Sequence, residues 1–302
     1  MIPRKKIHFN KHSLFIIQKV YLCNYTFLKM INTEILPFLK WMGDKRDSLS
    51  SIRAALPRDF QKLTYYEPFV GGGSVLFALQ PDKACINDLN GDLIHAYNVV
   101  KDYPEALLDA LSIYVANEAH YYHMRNLERN VIAFAQLGPI ERAARFIFLN
   151  KTCFNGLYRV NADGYFNVPY GGYKNPCIIN PDNIRAISAY LKEHVSISYG
   201  DYSKVVANAG PGSFVYLDPP IFPISNNLTA STQEEWDEEN QRKLRDLCLE
   251  LDGRGVRFLL SSTDMYLIRS LYHMFKIEKV KSVRGANRCE AVNGLLIRNY
   301  RK

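Results

Sequence analysis

Leu63-Thr64-Tyr65-Tyr66-Glu67-Pro68-Phe69-Val70-Gly71-Gly72-Gly73-Ser74-Val75-Leu76-Phe77-Ala78-Leu79 reads as a strand that runs through a glycine loop into a helix. Three glycines keep side chains out of the space a ligand would occupy, and the helix N-terminus adds oriented amides. A second short strand, Lys83 to Asp88, ends on a carboxylate 17 positions beyond Gly71. An acid there is placed to accept hydrogen bonds from ribose hydroxyls, so the pair fits a nucleoside-containing cofactor. Gly-Gly-Gly also serves plain loops, and that bland reading stays open on the glycines alone. The dinucleotide pattern GxGxxG is absent, which argues against NAD.

Outward from this stretch the alternation continues. Leu89 to Val100 reads as a helix, Ser213 to Leu217 and Val256 to Leu260 as apolar strands. Glu234 to Leu251 is amphipathic, with Trp236, Leu244, Leu247, Cys248 and Leu251 near helical spacing. Phe275 to Val283 and Ala291 to Tyr300 read as paired strands with no room for a crossover helix. The expected fold class is therefore α/β, a doubly wound and mostly parallel sheet finished by one antiparallel strand. Residues 103–190 interrupt the pattern: helix-rich at first, then turn-laden from Asn150 to Tyr170, with Asp163-Gly164 as a hairpin signal. They read as an inserted helical plus β-hairpin module, leaving 30–102 and 191–302 as one domain.

Asp218-Pro219-Pro220 sits just past a buried strand, where open α/β sheets place their ligand crevice. The two prolines stop the strand and aim a carboxylate and rigid carbonyls at that crevice. Alone, the tripeptide is more often a rigid turn.

The 302 residues, 47% hydrophobic and 23% charged, exclude a disordered chain, a collagen-like repeat and a disulfide-stapled miniprotein. Net charge is +8, which points to a polyanionic partner. Residues 1–29 hold six basic residues and no acid, so without them the balance is +2. This stretch reads either as a basic arm on nucleic acid or as an extension ahead of a working protein that begins at Met30. The lack of an aromatic or Gly-Arg pattern favours the second. Residues 119–176 hold seven basic against three acidic residues, a better sign of DNA than the bulk charge. The six cysteines form no CxxC pair, so no metal site is expected, and no segment reaches membrane-spanning length. A cytoplasmic location is expected.

Glycine loop, Asp88 and Asp-Pro-Pro in this order resemble the Dam group of DNA adenine-N6 methyltransferases. The resemblance covers residues 35–302. Phe38-Leu39-Lys40-Trp41-Met42-Gly43-Asp44-Lys45-Arg46 is similar to the family's N-terminal cofactor motif. Phe154-Asn155-Gly156-Leu157-Tyr158-Arg159, with Phe166-Asn167-Val168-Pro169, is similar to its DNA-reading hairpin. The resemblance implies a Rossmann-like methyltransferase sheet with an inserted target-recognition domain. It implies S-adenosylmethionine as cofactor, contacted by Trp41, Lys45, Asp88 and Asp218, with Glu67, Phe69 and Gly71 along it and Asp201 and Tyr202 near its adenine. It implies Asp218, Pro219, Pro220 and Ile221 as the catalytic motif. On DNA it implies that Arg159 reads a guanine, that Phe154 and Asn155 fill the space of an extruded base, and that Asn167 and Pro169 belong to the same DNA-binding block. Double-stranded DNA is the implied partner, commonly at GATC, with a monomeric enzyme and a restriction endonuclease as a companion.

Three places depart from that pattern, one of them Glu234 to Glu239, which brings acid where the family has a more neutral segment. Ile221 stands where the motif has tyrosine, which removes a π-face from the base pocket, and Asp44 replaces a usual glycine. Activity is expected to be reduced. The rival reading is a catalytically inactive DNA-binding relative; a third, methylation of RNA or another amine, rests on Asp-Pro-Pro alone.

Overall fold

The computed structural model describes residues 34–220, 236–284 and 291–301. The chain divides into two units, 1–35 and 36–302; of the first, only Glu34 and Ile35 are described, in neither helix nor strand. In the second, seven strands form one sheet: β1 (Thr64–Glu67), β2 (Ala84–Asp88), β3 (Val195–Tyr199), β4 (Ser213–Leu217), β5 (Arg257–Thr263), β6 (Lys276–Arg284) and β7 (Ala291–Arg298). Their order is β3-β2-β1-β4-β5-β7-β6. The first five run parallel, and β7 lies antiparallel between β5 and β6. The mostly parallel α/β sheet with an antiparallel close is thus as the sequence predicts.

The central strand is β4, all five residues of which are buried. Ser-Phe-Val-Tyr-Leu is what a strand covered on both faces requires. Its partners are β1 (Tyr65↔Phe214) and β5 (Leu217↔Leu260). Chain order reverses direction between β1 and β4, and the ligand crevice of such a sheet lies at that switch point.

The helices are α1 (Leu49–Ala55), α2 (Ser74–Leu79), α3 (Gly91–Asp102), α4 (Pro104–Ser112), α5 (Glu118–Asn126), α6 (Val131–Ala135), α7 (Pro139–Thr152), α8 (Pro181–His194), α9 (Tyr202–Val205), α10 (Glu238–Gly253) and α11 (Tyr266–Leu271). Leu244, Leu247, Cys248 and Leu251 of α10 pack on Val215, Leu217, Phe258 and Leu260 of the sheet. Each fully buried leucine there contributes about 2 kcal/mol of transfer free energy. Residues 104–152 are helix-rich, and α7 packs on α3, α4 and α5. The expected end of the insertion, residue 190, lies inside α8, which is capped by the Asn180 side chain and leads directly into β3.

Around Asp163-Gly164 the chain reverses, with Gly164 at φ +83 and an antiparallel bridge between Val160 and Phe166. The expected hairpin does not extend into two regular strands. Side chains from elsewhere take the backbone groups a ladder would use: Glu128 Oε1 accepts from Phe166 N at 2.6 Å, and the Val168 carbonyl accepts from Tyr121 and Arg125. No helix among the described residues is long and apolar enough to cross a membrane.

Candidate active site

The glycine loop is stitched to the ends of its neighbouring strands. Val70 N donates to the Asn87 carbonyl at 2.9 Å, and Tyr97 Oη donates to the Gly71 carbonyl at 3.0 Å. Asp88 accepts from Gly71 N and Asn90 N, both at 3.0 Å. Burial pushes the Asp88 carboxyl up, and the two backbone amides hold it partly down. The side chain that would meet a ribose therefore also fixes the loop a cofactor would cross.

Trp41 covers this loop. A Cβ on Gly71 would stand 2.7 Å from Trp41 Cδ1, and one on Gly72 would stand 2.8 Å from Trp41 Cβ. The indole also stacks on Tyr158, with ring centroids 5.8 Å apart and planes inclined by 24°. Its position is set from the preceding residue: Lys40 N donates to Asn150 Oδ1 at 2.9 Å, and Asn150 Nδ2 donates back to the Lys40 carbonyl at 2.7 Å. The N-terminal motif is thereby tied both to the glycine loop and to α7.

At the end of β4, Asp218 is one-fifth exposed and Lys45 is buried; Lys45 Nζ stands 2.7 Å from Asp218 Oδ1. Lys45 Nζ also donates to the Gly43 carbonyl, and Lys45 N donates to Ser74 Oγ, so the residue bridges the N-terminal motif and the start of α2. Burial raises the Asp218 carboxyl above its usual range and the Lys45 ammonium works against that. Pro219 is buried, and Lys45, Ser48, Asp218, Pro219, Ser261 and Leu296 line a small pocket here. Asp44 turns its carboxylate onto Arg46 N and the Arg46 guanidinium. Ile221 lies outside the described residues.

Glu67 points inward. It is 2% exposed, and Tyr65 Oη donates to its Oε2 at 2.8 Å. Burial drives its carboxyl well above the ordinary range, and Asp218 and Asp88 add to the rise. Phe69 packs on Tyr202 at 5.0 Å between centroids, and Trp236 meets both rings. Asp201 caps α9 by accepting from Ser203 N at 2.8 Å.

Phe154, Asn155 and Pro169 are exposed on the segment after α7. Asn155 is at φ +54, with its N–H on Tyr173 Oη, and Phe154 N donates to the Pro169 carbonyl at 2.9 Å. Arg159 Nε donates to Asn167 Oδ1 at 2.6 Å. Beside them Lys40 Nζ donates to the Lys151 carbonyl, and burial with the Lys40 charge pushes the Lys151 ammonium down to about 8.

A family model of D12 class N6 adenine-specific DNA methyltransferases matches residues 41–286, from Trp41 through every element of this site. The chain belongs to that family. It is 38% identical over 273 residues to the type II methyltransferase M1.LlaDCHI of Lactococcus lactis subsp. cremoris, covering 87% of this chain and 95% of the relative. The type II methyltransferase M.MjaIII of Methanocaldococcus jannaschii is 38% identical over 294 residues, 88% of this chain and 100% of the relative. The DNA adenine methylase of Escherichia coli K12 is 34% identical over 254 residues, 82% of this chain and 88% of the relative.

In this D12-class chain the sheet brings Gly71, Asp88 and Asp218 to the ends of three adjacent strands, with Trp41 and Lys45 laid over them. Arg159, Asn167, Phe154 and Asn155 gather on the segment after α7. Three residues escape a reading of motifs. Asn87 is buried and donates to the carbonyls of Pro68 and Gly200, tying β1 to the end of β3. Tyr158 sits next to Arg159 yet packs on Trp41. Trp236 fits the apolar stripe of α10 in sequence, but joins Phe69 and Tyr202 in space. Only Asn87 carries a signal: a polar residue inside a strand of a sheet buried on both faces.

Proposed function

We propose that the protein methylates the N6 amine of an adenine extruded from duplex DNA, with S-adenosylmethionine as methyl donor and GATC as the target sequence. The observation that carries the reading is Lys45 Nζ on Asp218: the carboxylate at the end of β4 already receives an N–H donor. An adenine amine is a poor nucleophile because its lone pair is delocalised into the ring. If Asp218 and the Pro219 carbonyl each accept one amine N–H, the lone pair is freed for in-line attack; this is positioning and charge stabilisation. The residues present fit the cofactor: Asp88, only partly buried, lies at the glycine loop, and the Trp41 indole packs against Gly71 and Gly72 beside it. Bound there, S-adenosylmethionine supplies a methyl group on a positively charged sulfur. Gly71, Asp88 and the Phe69–Tyr202 corner would hold it.

The target atom is out of reach inside a duplex, so the base must leave the stack. Residues 103–190 act as the target-recognition module, and Arg159 reads a guanine in the major groove, a contact worth about 1–3 kcal/mol when bidentate. The protein works as a monomer on double-stranded DNA, and the type II names of two relatives favour a restriction endonuclease as its companion. Ile221 favours a slow enzyme, and in the extreme a DNA-binding relative without turnover. Transfer of a radiolabelled methyl group to a GATC duplex, beside a gel shift on the same duplex, decides between them. Label on the GATC adenine supports the methyltransferase; a shift without label supports the inactive relative. Neither outcome with duplex DNA, but label in RNA, would sink both.

A further inference from the structure

The turn that carries Arg159 is anchored at two residues. Phe166 and Val168 are buried, whereas Asn167 between them is only partly so. Both flanking residues are held from the body of the module. Phe166 N donates to Glu128 Oε1, whose other carboxylate oxygen pairs with the buried Arg145 at 2.9 Å. The Val168 carbonyl accepts from Tyr121 Oη at 2.8 Å. Asn167 is therefore a fixed platform. It meets Arg159 twice: Asn167 N donates to the Arg159 carbonyl at 3.0 Å, and Asn167 Oδ1 accepts from Arg159 Nε at 2.6 Å.

A guanidinium is planar, so committing Nε to one acceptor sets the plane of the whole group. Arg159 Nη1 and Nη2 have no protein partner among the described residues. The edge left over is the two-pronged one that a guanine O6 and N7 would accept from.

We propose that Asn167 is a positioning residue for base recognition: it orients Arg159 through Nε and leaves the Nη1–Nη2 edge to read the base. This rests on Arg159 being the reader of a guanine. It differs from a direct phosphate contact by Asn167, because a phosphate contact weakens binding to all sequences alike, whereas an oriented reader governs the ratio between sequences.

The test is the kcat/KM ratio for a GATC duplex against the same duplex with that guanine replaced by 7-deazaguanine. It is read for the wild-type protein and for Arg159→Ala, Asn167→Leu, Asn167→Ala and Asn167→Asp. Arg159→Ala is expected to abolish the preference. The two variants that lack an acceptor are expected to lower it about 10-fold, within the range a bidentate contact supplies, with the modified duplex methylated as before. Asn167→Asp keeps an acceptor for Nε and is expected to restore the ratio. Should Arg159→Ala collapse the preference while both acceptor-less variants retain it, the positioning role is wrong and the guanine reading stands. Should Arg159→Ala leave the preference intact, the reading and the positioning role fall together. A uniform loss on both duplexes with Asn167→Leu and Asn167→Ala would make Asn167 a backbone contact instead.

Discussion

Lys45 Nζ is 2.7 Å from Asp218 Oδ1, and the lysine is buried. An amine that uses Asp218 as acceptor either displaces this ammonium from Oδ1 or takes the other carboxylate oxygen. The lysine also opposes the rise that burial imposes on the Asp218 carboxyl. Lys45→Met removes that opposition, so the carboxyl moves further up and is protonated at a higher pH. A protonated Asp218 has turned one acceptor site into an O–H donor and lost the charge that strengthens the others. The acid limb of the pH–kcat profile, taken at saturating cofactor, is therefore expected to shift to higher pH in Lys45→Met. Superimposable acid limbs would show that Asp218 is not the group that titrates.

Glu67 makes a stability prediction of definite sign. Its carboxyl lies well above the ordinary range in the folded protein because it is buried, with Asp218 and Asp88 adding to the rise and the Tyr65 hydroxyl opposing it. Between the ordinary glutamate range and that raised value, the unfolded chain has lost a proton that the folded one keeps. Folding stability from this group is thus complete at low pH and declines as pH rises through the window, by about 1.4 kcal/mol per pH unit. Glutamine mimics the protonated acid and has nothing to titrate. Urea unfolding of wild type and Glu67→Gln in steps from about pH 5 to about pH 8 should show the variant gaining on the wild type as pH rises. A constant difference across that range would mean that Glu67 is ionised in the fold.

Strands β4 and β5 were legible as apolar runs, β1 and β2 as short β-rich runs leading to the glycine loop and to Asp88, and β6 and β7 as a closely spaced pair. β3, Val-Ser-Ile-Ser-Tyr, escaped: only Val195 is buried, since the strand lies at the sheet edge, and its two serines break the apolar run. The members of the candidate site were legible as motifs, but their contacts were not. Nothing in the order of residues says that Lys45 reaches Asp218, that Asn150 grips Lys40, or that Trp41 lies between Gly71 and Tyr158. Those pairings exist because the sheet order places the end of β4 beside the end of β1, and because α7 packs against α3.

Trp41 gives the glycine loop a measurable signature. Gly71 has φ +50, and an added Cβ would stand 2.7 Å from Trp41 Cδ1 and 2.9 Å from Nε1. The indole is itself stacked on Tyr158, which restrains its retreat. Gly71→Ala should cost about 1–2 kcal/mol for the left-handed backbone and about 1–3 kcal/mol more for the overlap. Gly172, at φ +64 with nothing within 4 Å of its would-be Cβ, isolates the first effect. Urea midpoints of Gly71→Ala and Gly172→Ala that fall equally would mean that Trp41 yields freely. The expected result is a larger fall for Gly71→Ala, together with weaker binding of S-adenosylhomocysteine in calorimetry.

Ile221 is the departure with the largest expected effect on rate. It follows Asp218-Pro219-Pro220, at the motif position whose aromatic the family resemblance implies stacks on the extruded base. An isoleucine offers apolar contact, whereas a tyrosine adds a π-face, and stacking on a base is worth about 1–3 kcal/mol. That range corresponds to a gain of about 5- to 150-fold in kcat/KM for Ile221→Tyr on a GATC duplex. A fluorescent 2-aminopurine at the target adenine separates the causes, because it brightens on leaving the stack. If stacking is what isoleucine lacks, Ile221→Tyr raises both the rate of transfer and the extrahelical population. A variant that transfers no faster than wild type would place the limiting step elsewhere.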